Sequence, residues 1–205
     1  METVYFYIDD VKVEGSRSAT NNSETLLQPK FRIVTTEGRI TWPDGTFMTR
    51  EEIREHSLTI NLAELRLFHI MNLKDGNYQI NIYPLGIGRK GKGTPEGNFR
   101  IIVKNERPRW RVPDGLREQD PSLPLVMSPG PQNPLGDYWL GLSEHGYGIH
   151  GTNQPFGVGR RVSYGCMRMY PKDIATLYTQ IEIGTPVLIS YQPIKATSNG
   201  GNLLL

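Results

Sequence analysis

The stretch IHGTNQPFGVGRRVSYGCMRMYPKDI, residues 149–174, holds the only cysteine of this chain. Cys166 follows Ser163 by three positions and His150 by sixteen, with Arg160, Arg161 and Arg168 around it. A thiol becomes a working nucleophile when its surroundings favour thiolate and a base lies within reach. The arginines make the surroundings electropositive, and His150, at the end of a strand-like segment, is the candidate base. An imidazole in that role needs a partner on its other ring nitrogen. No Asp or Glu lies between His150 and Cys166, so a main-chain carbonyl such as that of Gly151 is the candidate. Gly165, directly before the sulfur, leaves bare backbone past which a substrate carbonyl can approach. Asn153 and Ser163 are candidates for hydrogen-bonding substrate, with turn bonding inside the loop as the alternative. The residues alone leave two readings open: a Cys–His nucleophile, or an inert buried thiol, the usual fate of a lone cysteine.

The elements that must position these groups are mostly strands. Residues 3–8 and 30–35 read as strands separated by a polar Ser/Asn/Thr stretch, TWPDGT at 41–46 as a turn, and TREEIREH at 49–56 as a short helix with Thr49 and Glu52 spaced as a capping box. Leu58, Ile60 and Leu62 alternate with polar residues, as do Leu65, Leu67 and His69, then Tyr78, Ile80 and Ile82 after a KDGN turn. That pattern predicts a half-buried antiparallel meander. Further strands are expected at 98–105, 137–142, 146–150 and 185–192. One helix follows the cysteine: Pro171 suits its first turn, and Ile174, Leu177, Tyr178 and Ile181 form its apolar stripe. Residues 105–136 carry seven of the fifteen prolines and little periodicity, which predicts a lid over a cleft or a rigid surface connection, with Tyr138 and Trp139 just beyond it. The tail ATSNGGNLLL ends on apolar residues, like a further strand cut short.

Composition narrows the function. The 23 basic and 21 acidic side chains are mixed along the chain, which argues against nucleic acid as a partner. No apolar run approaches the roughly 20 residues of a membrane span. The opening METVYFYIDDVKVEG lacks the basic and apolar regions of a secretory signal. GIGRKG at 86–91 matches the G-x-G-x-x-G of dinucleotide sites, but a strand rather than a helix follows it, so no helix N-terminus is there to hold phosphate. The expectation is a flexible hairpin connection with Arg89, Lys90 and Lys92 exposed. His145 and His150, five apart in a strand-like stretch, fall on opposite faces and do not suggest a metal site.

HGTNQPFGVGRRVSYGCMRM resembles the signature of the L,D-transpeptidase (YkuD/ErfK) family, in which H-G-T-N precedes S-x-G-C-h-R. LTINLAELRLFHI, YPLGIGRKGKGTPEGNF, NPLGDYWLGL and GTPVLISYQPIKA resemble successive stretches of the same family, so the likeness covers about 58–195. It implies a mostly β, sandwich- or barrel-like domain with a cysteine-bearing loop and one packed helix. An N-terminal β-containing segment of unknown role (1–57) would precede that domain and a tail (196–205) follow it. Carried over, the nucleophile is Cys166, the base His150 and the orienting carbonyl that of Gly151. The oxyanion donors are the N–H groups of Tyr164, Gly165 and Cys166. Arg168 braces the loop or touches substrate, and Ser163, Asn153 and Tyr138 are placed at the substrate. Tyr164 stands where the family often has histidine, which puts any role for a second imidazole in doubt.

The resemblance implies attack on the diaminopimelate–D-Ala bond of a peptidoglycan tetrapeptide stem. The thioester then passes to an amine: a second stem, a D-amino acid, or a lysine of an outer-membrane lipoprotein. No metal or organic cofactor is implied. Carbapenems are expected to acylate Cys166. The implied location is the periplasm or cell envelope, with the export signal removed. The alternatives are an L,D-carboxypeptidase or hydrolase on the same site, and an inactive peptidoglycan-binding module.

Overall fold

The computed structural model describes residues 2–8, 11–17, 30–34, 39–41, 47–49, 56–73, 77–193, 197–199 and 202–204. Residues 42–46 of the expected turn, 50–55 of the expected helix, 74–76 of the KDGN turn and the polar stretch at 18–29 lie outside them. The chain divides into two compact units, one of residues 1–83, 96–98 and 185–205, the other of residues 84–95 and 99–184.

The first unit opens with β1 (Glu2–Ile8), β2 (Val11–Arg17), β3 (Lys30–Val34), β4 (Arg39–Thr41), β5 (Phe47–Thr49), β6 (His56–Asn61), β7 (Arg66–Leu73) and β8 (Asn77–Pro84). β4 and β5 pair as a separate hairpin; the others lie side by side in the order β1-β2-β3-β8-β7-β6. Alternation predicted the meander, and β6 pairs antiparallel with β7 over its full length. The half-buried expectation needs correction at β6. Leu58 and Ile60 are buried, but so are Ser57, Thr59 and Asn61 between them. The alternating polar residues there are small or amide side chains; the Ser57 and Thr59 hydroxyls are buried without a hydrogen-bond partner among the described residues, whereas Asn61 is engaged. Asn61 Nδ2 donates to Gln192 O, and its Oδ1 accepts from the N–H groups of Ala63 and Gln192.

The second unit holds β9 (Ile87–Gly88), β10 (Gly97–Glu106, from Phe99 onward), β11 (Trp110–Arg111), α1 (Asp114–Arg117), β12 (Val126–Met127), β13 (Tyr138–Leu142), β14 (Gly148–His150), a 3-10 turn at Pro155–Gly157, β15 (Arg161–Ser163), β16 (Met167–Arg168) and α2 (Pro171–Gln180). Its main sheet runs β10-β13-β14-β16, antiparallel except for the final β14–β16 pair. α2 is the expected helix: Pro171 fills its first turn, where a missing N–H costs nothing, and Ile174, Leu177 and Ile181 are buried. Each such side chain contributes roughly 1.5–3 kcal/mol.

One expectation needs correction in this unit. The proline-rich segment is not without regular structure, because β11 pairs with β12 and α1 adds one helical turn between them. Four residues show too little periodicity to register as a stripe. After α2 the chain returns to the first unit as β17 (Pro186–Ser190), parallel to β6. The tail forms a hairpin of β18 (Thr197–Asn199) and β19 (Asn202–Leu204). The chain is mostly β throughout.

Candidate active site

The parallel pairing of β14 with β16 brings the two reactive side chains together. His150 is in register with Arg168 and Ile149 with Met167, so Cys166 sits at the head of β16, beside the strand that ends in His150. Neighbouring strands lie about 4.8 Å apart. Both side chains line one cavity of about 720 Å³ within the second unit.

His150 is buried, and its Nδ1–H donates to Gly151 O at 2.6 Å. That bond holds the proton on Nδ1 and leaves Nε2 with a free lone pair. α2 supports the carbonyl from behind, since a Cβ on Gly151 would meet Ile174 Cγ2 at 3.3 Å. Burial lowers the His150 pKa to about 4, and the Arg168 guanidinium adds to the fall; the carbonyls of Gly151 and Leu135 oppose it. Trp139, the cross-strand partner of His150, stacks on the imidazole with centroids 5.8 Å apart. Gly148 makes room for this, because a Cβ there would lie 2.5 Å from the indole. Gly148→Ala is therefore expected to displace the indole from His150 and to cost about 1–3 kcal/mol of stability, read as a lower urea midpoint. An unchanged midpoint would show that the indole yields freely.

Cys166 is half-buried, and its thiol donates to Gly146 O at 3.5 Å. Burial pushes the thiol above its usual range, opposed by backbone hydrogen bonding at Gly148 and by the Arg168 charge. This corrects the expectation of an electropositive pocket favouring thiolate: Arg160 and Arg161 are exposed, only Arg168 acts on the sulfur, and desolvation outweighs it. The resting pair is thus a neutral thiol and a neutral imidazole. Alkylation of Cys166 by iodoacetamide is expected to keep rising with pH beyond 9, and Arg168→Gln should slow it further at fixed pH. A rate that levels off below pH 8 would contradict the burial argument.

The cysteine loop is tied down from within and below. Ser163 Oγ donates to Cys166 O at 2.6 Å and accepts the Gly165 N–H at 3.1 Å. Ser163 is buried and so is occupied with the loop, the alternative weighed against substrate contact. The same bond engages the Gly165 N–H, which corrects its assignment as an oxyanion donor. Among the described residues, no hydrogen-bond partner faces the N–H of Tyr164 or Cys166. Gly165 is required for a different reason from the one expected: its φ is +113°, and a Cβ would lie 2.6 Å from the Tyr147 ring. Below the loop, Thr94 Oγ1 donates to Gly165 O and accepts the Gly88 N–H.

The flexible hairpin expected at 86–91 is instead part of this scaffold. β9 pairs with β15, and Gly86 exchanges two backbone bonds with Arg168. Arg89, Lys90 and Lys92 are exposed, as expected. Sequence reasoning missed Thr94; its only signal was its place in the GKGTPEGNF block.

The remaining expectations divide. Arg168 lines the cavity with its Nε buried and without a partner. Asn153 lines it too, and its Nδ2 donates to Pro131 O, tying the loop to the proline-rich segment. Tyr138 does not line it. Successive residues of a strand face opposite sides, so Trp139 faces His150 while the Tyr138 ring packs on Tyr178 of α2, centroids 4.8 Å apart. The proline-rich segment supplies one wall through Trp110, Val112, Met127 and Leu135. Buried Asn133 braces it, its Nδ2 donating to Pro108 O and Ser128 O and its Oδ1 accepting from Leu135 N–H. Among the described residues, no group of three or more His, Cys, Asp or Glu side chains is placed to hold a metal ion.

The family model of the L,D-transpeptidase catalytic domain, YkuD, matches residues 55–189. The probable L,D-transpeptidase ErfK/SrfK of Escherichia coli K12 is 38% identical over 154 residues, 72% of this chain and 48% of that protein. The putative L,D-transpeptidase YkuD of Bacillus subtilis 168 is 37% identical over 120 residues, 58% of this chain and 59% of that protein. Among solved structures, L,D-transpeptidase 3 from Mycobacterium tuberculosis aligns with a TM-score of 0.52 at 16% identity, covering 66% of this chain and 61% of that one, a likeness of fold. The chain spans about half the length of the first curated relatives it matches.

Proposed function

Because this chain belongs to the YkuD family of L,D-transpeptidase catalytic domains, we propose that it is a cysteine acyltransferase acting on peptidoglycan stem peptides in the cell envelope, with residues 58–195 as its catalytic domain. The observation that carries this reading is the shared cavity of Cys166 and His150, with the His150 proton held on Nδ1 by the Gly151 carbonyl. That tautomer turns Nε2 into a base.

With both groups neutral at rest, thiol deprotonation accompanies attack. The S–H proton passes to Nε2 as sulfur bonds to the diaminopimelate carbonyl carbon. The developing oxyanion is met by the N–H groups of Tyr164 and Cys166, each contributing on the order of 3 kcal/mol. The C–N bond then breaks, the imidazolium returns its proton to the departing amine, and D-Ala leaves a thioester on Cys166. Sulfur is both a good nucleophile and a good leaving group. An acceptor amine attacks the thioester, gives up a proton through His150, and restores the thiol. A second stem as acceptor makes a 3→3 cross-link, a D-amino acid makes an exchanged stem, and a lipoprotein lysine makes a protein anchor. The Arg168 charge disfavours imidazolium between steps and so keeps the base available. No helix of the described residues is long and apolar enough to cross a membrane.

The test is mass spectrometry of products after incubation with a purified disaccharide-tetrapeptide. A cross-linked dimer with free D-Ala is expected. Tripeptide without dimer would mean water is the acceptor and the protein an L,D-carboxypeptidase. No D-Ala release at all would reduce it to a binding module.

A further inference from the structure

The segments that frame Cys166 carry an uneven charge. Residues 84–95 hold Arg89, Lys90 and Lys92 and no Asp or Glu. Residues 145–172 hold Arg160, Arg161, Arg168 and Lys172, again with no Asp or Glu. The whole chain is nearly balanced, with 23 basic and 21 acidic residues, so everything outside these segments is net acidic.

The fold brings the two segments together. β9 and β15 pair, Ile87 N–H donates to Arg160 O, and Arg89 N–H donates to Ser163 O. Arg89, Lys90, Lys92 and Arg160 are exposed, and among the described residues no carboxylate pairs with them. The Arg89 guanidinium lies over the Tyr164 ring, 4.2 Å from its centroid, and Tyr164 lines the cavity. That stacking fixes one cation against a ring of the cavity wall.

Much of the backbone there is engaged within the protein. The N–H groups of Gly86, Ile87 and Arg89 donate to main-chain carbonyls, and that of Gly88 to Thr94 Oγ1. The glycine-rich stretch leads into β10 rather than into a helix, so it lacks the helix N-terminus that holds phosphate in dinucleotide loops, and recognition falls to its exposed side chains. The substrate proposed above has free carboxylates on the diaminopimelate side chain and on the terminal D-Ala, one on each side of the scissile bond.

We propose that the ridge of Arg89, Lys90, Lys92 and Arg160 is a carboxylate-recognition surface that holds the acidic peptide substrate on its approach to Cys166. This rests on the acyl-transfer reading for its choice of substrate. Such a surface acts within the Debye length of about 8 Å at physiological salt, so it raises local substrate concentration and selects acidic peptides over amidated ones.

The test measures binding without turnover. A disaccharide-tetrapeptide labelled on its sugar, and the same compound with its carboxyls converted to carboxamides, are titrated against Cys166→Ala protein by fluorescence anisotropy. On that background, the combined variant R89Q, K90Q, K92Q and R160Q should bind the acidic compound at least tenfold more weakly, with a flatter dependence on salt. Its affinity for the carboxamide should change less than twofold. Equal losses for both compounds, or no loss for either, would overturn the proposal.

Phe156 is 87% exposed on the neighbouring 3-10 turn, which makes an anionic lipid surface the rival occupant. Four-residue-dependent binding to phosphatidylglycerol vesicles, without discrimination between the two compounds, would also overturn it. Failure of the acyl-transfer reading looks different: tight, charge-dependent binding by wild-type protein that releases no D-Ala.

Discussion

Cys166→Ala is expected to abolish acyl transfer outright, with no D-Ala released and no carbapenem adduct detected by intact-protein mass. The variant has no atom to form the thioester, so only background hydrolysis remains. His150→Ala is expected to behave differently. Loss of a positioned base costs about 10²–10⁴-fold, but thiolate attacks without a base, so residual activity should climb steeply as pH rises through the elevated thiol range. Wild-type activity should be flatter, falling on the acid side only as His150 titrates near 4. The pair of profiles separates general-base catalysis from a merely structural histidine, which would leave both curves with the same shape. A carbapenem adduct in Cys166→Ala would remove the thiol from the mechanism.

Acid is expected to destabilise the fold through two buried histidines. His150 titrates near 4 when folded and near 6.5 in an unfolded chain, so between these values the unfolded state holds a proton that the folded state lacks. The contribution is complete above pH 6.5, falls as pH drops, and is exhausted below 4. Integrated, it amounts to about 3 kcal/mol. His69 adds a comparable loss. It is a buried residue of β7, with its pKa lowered to about 3 by burial and then by the charge of His56, whose Nδ1 is 2.9 Å from His69 Nε2. The unfolding free energy from urea titration should therefore drop by several kcal/mol between pH 7 and pH 4. His69→Gln should flatten that dependence even though it lowers stability at pH 7. A wild-type curve level across this range would mean that both imidazoles are solvated.

Much of this was determined by sequence because it depends on local order. The meander from Leu58, the helix from Pro171 and the strands around Tyr138 and His150 follow from period-two and period-3.6 patterns that a linear reading detects. The block order HGTN…SYGCMR carried the family, and His150, Gly151 and Cys166 with it. Short elements escaped: β9, β15, β16 and α1 have two to four residues each, fewer than a period needs.

Tertiary structure decided everything that depends on who lies across from whom. It turned the glycine-rich decoy into the floor of the cysteine loop, because β9 pairs with residues more than seventy positions away. It took Tyr138 from the cavity and put Trp139 there, gave the Gly165 N–H to Ser163, and set a neutral thiol where flanking arginines had promised thiolate. Charge can be counted along a chain, but desolvation depends on what else is packed around the group, and only the folded molecule assembles that.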